Sequence, residues 1–339
     1  MTRDEFSMWS IIGHDWAVDL LQAAVLHQRI GHAYLFTGPA QVGKATLARV
    51  FAQALNCQSD YLNNRPCGVC RACKLIAAGR HPDVRVLTPE LNSRGQPVIK
   101  IEQMRELQKE LSLGTFEARY KIAILADFDA ANANAANAFL KTLEEPPPNV
   151  VLLLTATETD ALLPTINSRC RTFQLRPLTV PQVVEALQNQ WQVRPELANQ
   201  LAHLANGRLG WAVQAAQDER LLNTRHEQLG WLQQALDGRR PARFELADKL
   251  SRQPEELDTI LQTWLSWWRD VLLLAHGRSA DLPLINADQQ AKLRQQADKW
   301  TADQIETSLT QTQTALWQLE RNANVRLVLE NLFLIYPKP

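Results

Sequence analysis

Gly38-Pro39-Ala40-Gln41-Val42-Gly43-Lys44-Ala45-Thr46 decides how the first half of this chain is read. The apolar run Ala33–Thr37 (AYLFT) precedes it, and helical spacing over Thr46–Leu55 follows it. A G-x4-G-K run between a strand and a helix is the setting of a phosphate-binding loop. Backbone N–H groups and the helix N-terminus face the phosphates, and the lysine reaches the terminal ones. Working outward, Val84–Leu87, Lys121–Leu125 (KIAIL) and Val150–Thr155 (VVLLLT) also read as buried strands, and the spacing predicts a helix over Ile101–Leu111. Such alternation implies a mainly parallel sheet with helices on both faces, an α/β domain. From Val180 onward apolar positions recur every three or four residues and strand signals stop. Pro177 and Pro181 bracket one boundary, after Phe173-Gln174-Leu175, and the polar stretch Asp237–Ala242 marks another.

The loop departs from a working nucleotide site. Ser or Thr is needed directly after the lysine, because that hydroxyl binds Mg2+. Ala45 stands there instead, with Thr46 one place later on a different side of the helix. The strand Lys121–Leu125 should deliver an Asp for the metal shell and then a Glu that orients water. Ala126 occupies the first place and Asp127 the second. The nucleotide site is therefore read as degenerate, built from Gly38, Gly43, Lys44, Ala45, Thr46, Ala126 and Asp127. ATP or ADP can still bind through the backbone and Lys44, whereas Mg2+-dependent hydrolysis is not expected. A simpler reading makes Asp127 and Asp129 caps of the next helix.

Cys57, Cys67, Cys70 and Cys73 place four thiols within seventeen residues. With 5 Cys in 339 residues, a C-x2-C-x2-C run arises by chance in about one chain in a thousand. Four thiolates make a closed, tetrahedral, structural Zn2+ site, with an iron–sulfur cluster as the rival. Pro66 and Gly68 allow the turn that gathers the sulfurs, and Cys170 reads as a packed thiol.

Lys+Arg 36 against Asp+Glu 36 leaves no net charge. Residues 1–176 hold 19 basic and 17 acidic side chains (+2), and the remainder 17 and 19 (−2). That balance argues against an autonomous duplex binder, since phosphate contacts need clustered cations. It leaves room for DNA held by an assembly. No apolar run approaches the ~18 residues of a membrane span. Met1–Phe6 carries acids and lacks the apolar core of a signal peptide. A cytoplasmic location is expected. Trp264, Trp267 and Trp268 lie near one helical face. Core or interface packing fits them better than a nucleic-acid stacking platform, because few basic residues are interleaved.

Ala135-Ala136-Asn137-Ala138-Phe139-Leu140-Lys141-Thr142-Leu143-Glu144-Glu145-Pro146-Pro147 and Ser168-Arg169-Cys170 complete an ordered set. Over about Ile11 to Leu175 the chain resembles the bacterial DNA polymerase III clamp-loader subunits of the AAA+ class. The C-terminal half matches only in being helical. The resemblance implies a RecA-like AAA+ domain over residues 1–176, with a zinc module inserted at about 57–80. An all-α lid over 177–240 and an all-α collar or oligomerisation domain over 241–339 would follow. Within this family tau/gamma subunits are working ATPases and delta-prime subunits have decayed nucleotide sites; Ala45 and Ala126 group this chain with delta-prime. Gly210 stands where motor subunits carry a nucleotide-sensing arginine, and Arg208 is out of register. The sensor threonine is Thr155 or Thr157.

By the same resemblance Arg169, with Ser168 and Cys170 as its motif, is an arginine finger acting in trans on a neighbouring tau/gamma ATPase. Without the resemblance, a salt-bridged surface arginine is the ordinary reading. Lys141 and Glu144-Glu145 read as capping and bracing their helix. The implied partners are tau/gamma and delta subunits in a hetero-pentameric ring, the sliding clamp, and primed DNA through the assembled complex at the replisome in the nucleoid. No efficient ATPase activity is expected of the chain itself, as a component of a holoenzyme whose activity is DNA-directed DNA polymerase (nucleotidyltransferase). The alternative is an active tau/gamma-like ATPase in which Thr46 and Asp127 restore metal binding. A zinc-dependent nucleic-acid binder is a third reading, and the neutral charge speaks against it.

Overall fold

The computed structural model describes residues 9–92, 96–278 and 283–337; the Met1–Phe6 segment read above lies outside them. Two compact units are present. One contains the chain up to Leu178 together with Arg208–Gly210, the other Thr179–Gly207 and the chain from Trp211 onward.

The first unit runs α1 (Asp15–Leu26), β1 (Ala33–Thr37), α2 (Lys44–Asn56), α3 (Arg71–Ala77), β2 (Val84–Leu87), the short hairpin β3 (Glu90–Leu91) and β4 (Pro97–Val98), α4 (Ile101–Ser112), β5 (Lys121–Leu125), α5 (Ala133–Glu144), β6 (Val150–Ala156), α6 (Pro164–Asn167) and β7 (Arg171–Gln174). Five of these strands form a parallel sheet in the order β2-β5-β6-β1-β7. Every residue of β1 and β6 is buried, which is why both read as continuous apolar runs. Alternate side chains serve opposite faces. Tyr34, Phe36, Ile122, Ile124 and Leu153 pack with Leu47 and Phe51 of α2. Leu35, Ala123, Leu125, Leu152 and Leu154 pack with Met104 and Leu107 of α4 and Phe139 of α5. Each large apolar side chain buried this way contributes about 1.5–3 kcal/mol.

The strand and helix expectations hold to within two residues. β7 carries no strand signal in the sequence: only Phe173 of its four residues is buried, too little for an alternation.

The second unit is helical among the described residues: α7 (Val180–Trp191), α8 (Pro195–Ala205), α9 (Leu209–Gln217, beginning in the first unit), α10 (Arg220–Asp237), α11 (Arg240–Ser251), α12 (Leu257–Ala275), α13 (Gln290–Lys299), α14 (Ala302–Glu320) and α15 (Val325–Ile335). Trp264, Trp267 and Trp268 are buried in one core with Leu329, Phe333 and Tyr336, so they pack and offer no stacking face. α10 supplies Leu232, Ala235 and Leu236 to that same core. The buried Arg243 guanidinium donates to the carbonyls of Leu236, Gly238, Phe333, Tyr336 and Pro337, which offsets the cost of burying its charge. No described helix is long and apolar enough to cross a membrane.

Candidate functional site

The carboxyl ends of β1, β5 and β6, three neighbouring strands, gather the candidate nucleotide residues where ligands bind in open parallel sheets. Gly38 leaves β1 with φ +140, and a Cβ there would stand 2.3 Å from the Leu175 carbonyl oxygen. Only glycine permits that approach. Its N–H donates to the Thr157 carbonyl at 3.0 Å. Gly43 precedes α2 in the left-handed region. Lys44 is buried, and its Nζ donates to two carbonyls of its own loop, Gly38 at 2.5 Å and Pro39 at 2.9 Å. Burial lowers its pKa, with Asp127 and Asp129 pulling the other way. Behind the loop, buried His14 places Nε2 3.2 Å from the Val42 carbonyl, an acceptor that requires the proton on Nε2. Nothing in the sequence pattern announced His14; its partner is 28 residues away.

Ala45 and Thr46 are both exposed on the first turn of α2. At the end of β5, the Ala126 N–H donates to Leu87. Asp127 is exposed, in the left-handed conformation, and its N–H donates to Thr155 Oγ1 at 2.9 Å. Asp129 turns its carboxylate to Thr157, accepting from the backbone N–H at 2.9 Å and from Oγ1 at 2.5 Å. The two threonines are thus both tied to the acidic turn, and Thr157 also holds Gly38. The capping role considered for Asp127 and Asp129 belongs elsewhere: Asn132 caps α5 by accepting from Ala135 N–H.

Gly210, which is grouped with the first unit, donates its N–H to the Gln41 carbonyl at 2.9 Å. A Cβ at Gly210 would lie 2.9 Å from that oxygen, so any larger side chain must push the loop aside.

Arg169 follows α6. Its Nη1 donates to the Thr165 carbonyl at 2.8 Å and to Ser168 Oγ at 3.3 Å, and its Nη2 pairs with Glu144 at 2.7 Å. Cys170 packs against the core on the α4–α5 face of the sheet, and burial pushes its thiol up to about 12. Glu144, read as a helix brace, is the arginine's ion-pair partner.

The Sγ atoms of Cys57, Cys67, Cys70 and Cys73 lie within 4.8 Å of one another. A zinc ion bound tetrahedrally at ~2.3 Å sets its sulfurs about 3.8 Å apart, so this set fits a metal with little adjustment. Cys57 ends α2, Cys70 caps α3 and Cys73 lies within α3. Backbone N–H groups of Cys67, Cys70 and Cys73 point at the sulfurs of Cys57, Cys67 and Cys70 at 3.3–3.4 Å, as suits thiolates. Burial alone would raise the Cys67 thiol, but the N–H groups of Cys70 and Val69 and the neighbouring thiols bring it to about 7. Burial pushes Cys73 up, and a bound cation would reverse that. The four cysteines can hold a metal; Cys170 is not among them.

A five-stranded parallel sheet, with a G-x4-G-K loop leaving β1 and an acidic turn at the end of a nearby strand, defines a P-loop α/β domain. More particularly, the chain belongs to the delta-prime family of DNA polymerase III subunits. The family described as DNA polymerase III, delta subunit, matches residues 13–179. DNA polymerase III subunit delta' of Bacillus subtilis (strain 168) is 30% identical over 319 residues, covering 93% of this chain and 94% of the relative. The Pseudomonas aeruginosa subunit delta' is 45% identical over 139 residues, 41% of each chain. DNA polymerase III subunit tau of Bacillus subtilis is 33% identical over 174 residues, 51% of this chain and 30% of the relative.

Proposed function

We propose that this chain is a non-hydrolysing clamp-loader subunit that acts by position. It joins tau/gamma and delta subunits in a ring that loads the sliding clamp onto primed DNA in the cytoplasm, and it supplies Arg169 to the γ-phosphate held by the neighbouring tau/gamma ATPase. One observation carries the first part. Ala45 and Ala126 leave no side chain for Mg2+ at either required place. Gly210 against Gln41 supports the same reading, because the place of a sensing arginine is filled by backbone contact.

A guanidinium suits the trans role because it stays charged and presents planar donors to developing phosphate charge. The four cysteines hold Zn2+ as a structural brace with no open coordination position. The helices beyond residue 176 supply a lid and then a collar that carries assembly, with α10 packed into the core of the collar helices. Thr157, bonded to both Asp129 and Gly38, is the sensor-type threonine.

Hydrolysis by the purified chain with primed DNA and clamp tests the account. Turnover should stay at background and be indifferent to Lys44→Ala. Robust hydrolysis abolished by Lys44→Ala would establish the active-ATPase alternative.

A further inference from the structure

The Glu144-Glu145 pair sits badly as a brace for α5. Both acids stand at the C-terminal end of the helix, where the macrodipole and the unpaired carbonyls disfavour negative charge by about 0.3–1 kcal/mol each. Pro146 and Pro147 already stop the helix. The acids therefore need another reason to be there, and for Glu144 it lies across the gap to α6. Glu144 Oε1 accepts from Arg169 Nη2 at 2.7 Å, 25 residues along the chain.

The geometry points to Glu144 as a positioning residue for Arg169, an assignment that rests on Arg169 being the finger proposed above. Two arrangements could follow from such a pair, a latch that withholds the arginine or a strut that aims it. The donor inventory decides between them. A guanidinium has five N–H groups. Thr165 O and Ser168 Oγ take the two on Nη1, and Glu144 takes one on Nη2. Nε–H and the second Nη2–H have no acceptor among the described residues. The contacts therefore fix the plane of the group while leaving donors for a phosphate on a neighbouring subunit. The acceptors belong to two helices: Glu144 is the last residue of α5, Thr165 lies within α6 and Ser168 caps it. The α5–α6 spacing is thereby built into the aim of Arg169. An exposed pair of this kind is worth ~0.2–1 kcal/mol, enough to bias an orientation and too little to immobilise it against a phosphate.

The test uses the complex reconstituted with tau/gamma and delta subunits, carrying Glu144→Ala, Glu144→Gln, Arg169→Ala or Glu144→Ala with Arg169→Ala. Steady-state ATP turnover and particle size are measured for each. Glu144→Ala should slow the one site that Arg169 serves about two- to fivefold, the factor that an exposed ion pair supports, so complex kcat falls by part of what Arg169→Ala removes, with KM and assembly unchanged. Glu144→Gln, which keeps an acceptor oxygen, should fall between. In the Arg169→Ala background Glu144→Ala should have no further effect. The assignment is overturned if Arg169→Ala lowers turnover while Glu144→Ala leaves kcat at the wild-type value or raises it. It is also overturned if Glu144→Ala costs the same without Arg169. Wild-type turnover with Arg169→Ala would remove the finger itself, and this assignment with it.

Discussion

Lys44 and Gly38 meet inside one turn of loop, the lysine's ammonium on the glycine's carbonyl, and the backbone of Gly38 lies too close to the Leu175 carbonyl for any side chain. Gly38→Ala should destabilise the fold by about 3 kcal/mol, since its Cβ would overlap the Leu175 carbonyl in a left-handed conformation. A fall in the denaturation midpoint checks this. Gly210→Arg, which would restore the motor subunits' residue type, should displace Gln41 and not rebuild a sensor. At this scale the sequence was legible wherever chemistry is local. The phosphate-type loop, the missing hydroxyl at Ala45 and the clustered thiols all declare themselves within a few residues. His14 on Val42 and Glu144 on Arg169 join residues 28 and 25 apart, and no spacing rule links them.

Between β2 and β5 the chain is pinned by a carboxylate. Asp83 is buried, and its oxygens accept from the N–H groups of Phe116, Glu117 and Ala118 at 2.7–2.9 Å. His81 and Arg71 converge on Glu117 beside it. Burial alone would raise the Asp83 pKa, but those three donors and His81 hold it below the ordinary carboxylate value. A carboxyl whose pKa is lowered by folding stabilises the fold above its unfolded value, near 3.9. That contribution is lost as pH falls through the folded value. Asp83→Ala should therefore cost about 3 kcal/mol at neutral pH and remove that part of the acid dependence, as seen in denaturant titrations at pH 3 and 7. The four-cysteine module makes its own prediction. Metal analysis should find about one zinc per chain, and stripping it should speed hydrogen exchange across residues 57–77 ahead of the sheet. A brown iron protein would contradict this. Elements with strong burial were legible, as in β1 and β6; β7, with a single buried side chain, was not.

Across the whole chain the balanced charge supports the proposal that DNA is met through a surface shared with other subunits. The isolated protein should bind duplex weakly, with a shallow dependence of affinity on salt, because it has few phosphates to neutralise. The sequence boundary near Pro177 falls beside the division at Leu178. The boundary near Asp237–Ala242 has no counterpart in that division, because α10 shares the core of the C-terminal helices. Loop composition reports where the chain turns and cannot report which helices share a core.

The proposed role divides labour within one chain, a silent nucleotide site and a working arginine. It is tested by the steady-state ATP turnover of complexes reconstituted with Lys44→Ala or Arg169→Ala forms of this subunit. Turnover should stay at the wild-type value with Lys44→Ala and fall by about the share of one ATPase site with Arg169→Ala, since a finger is worth about 10³ or more at the site it serves. Loss of turnover with Lys44→Ala, and none with Arg169→Ala, would contradict it.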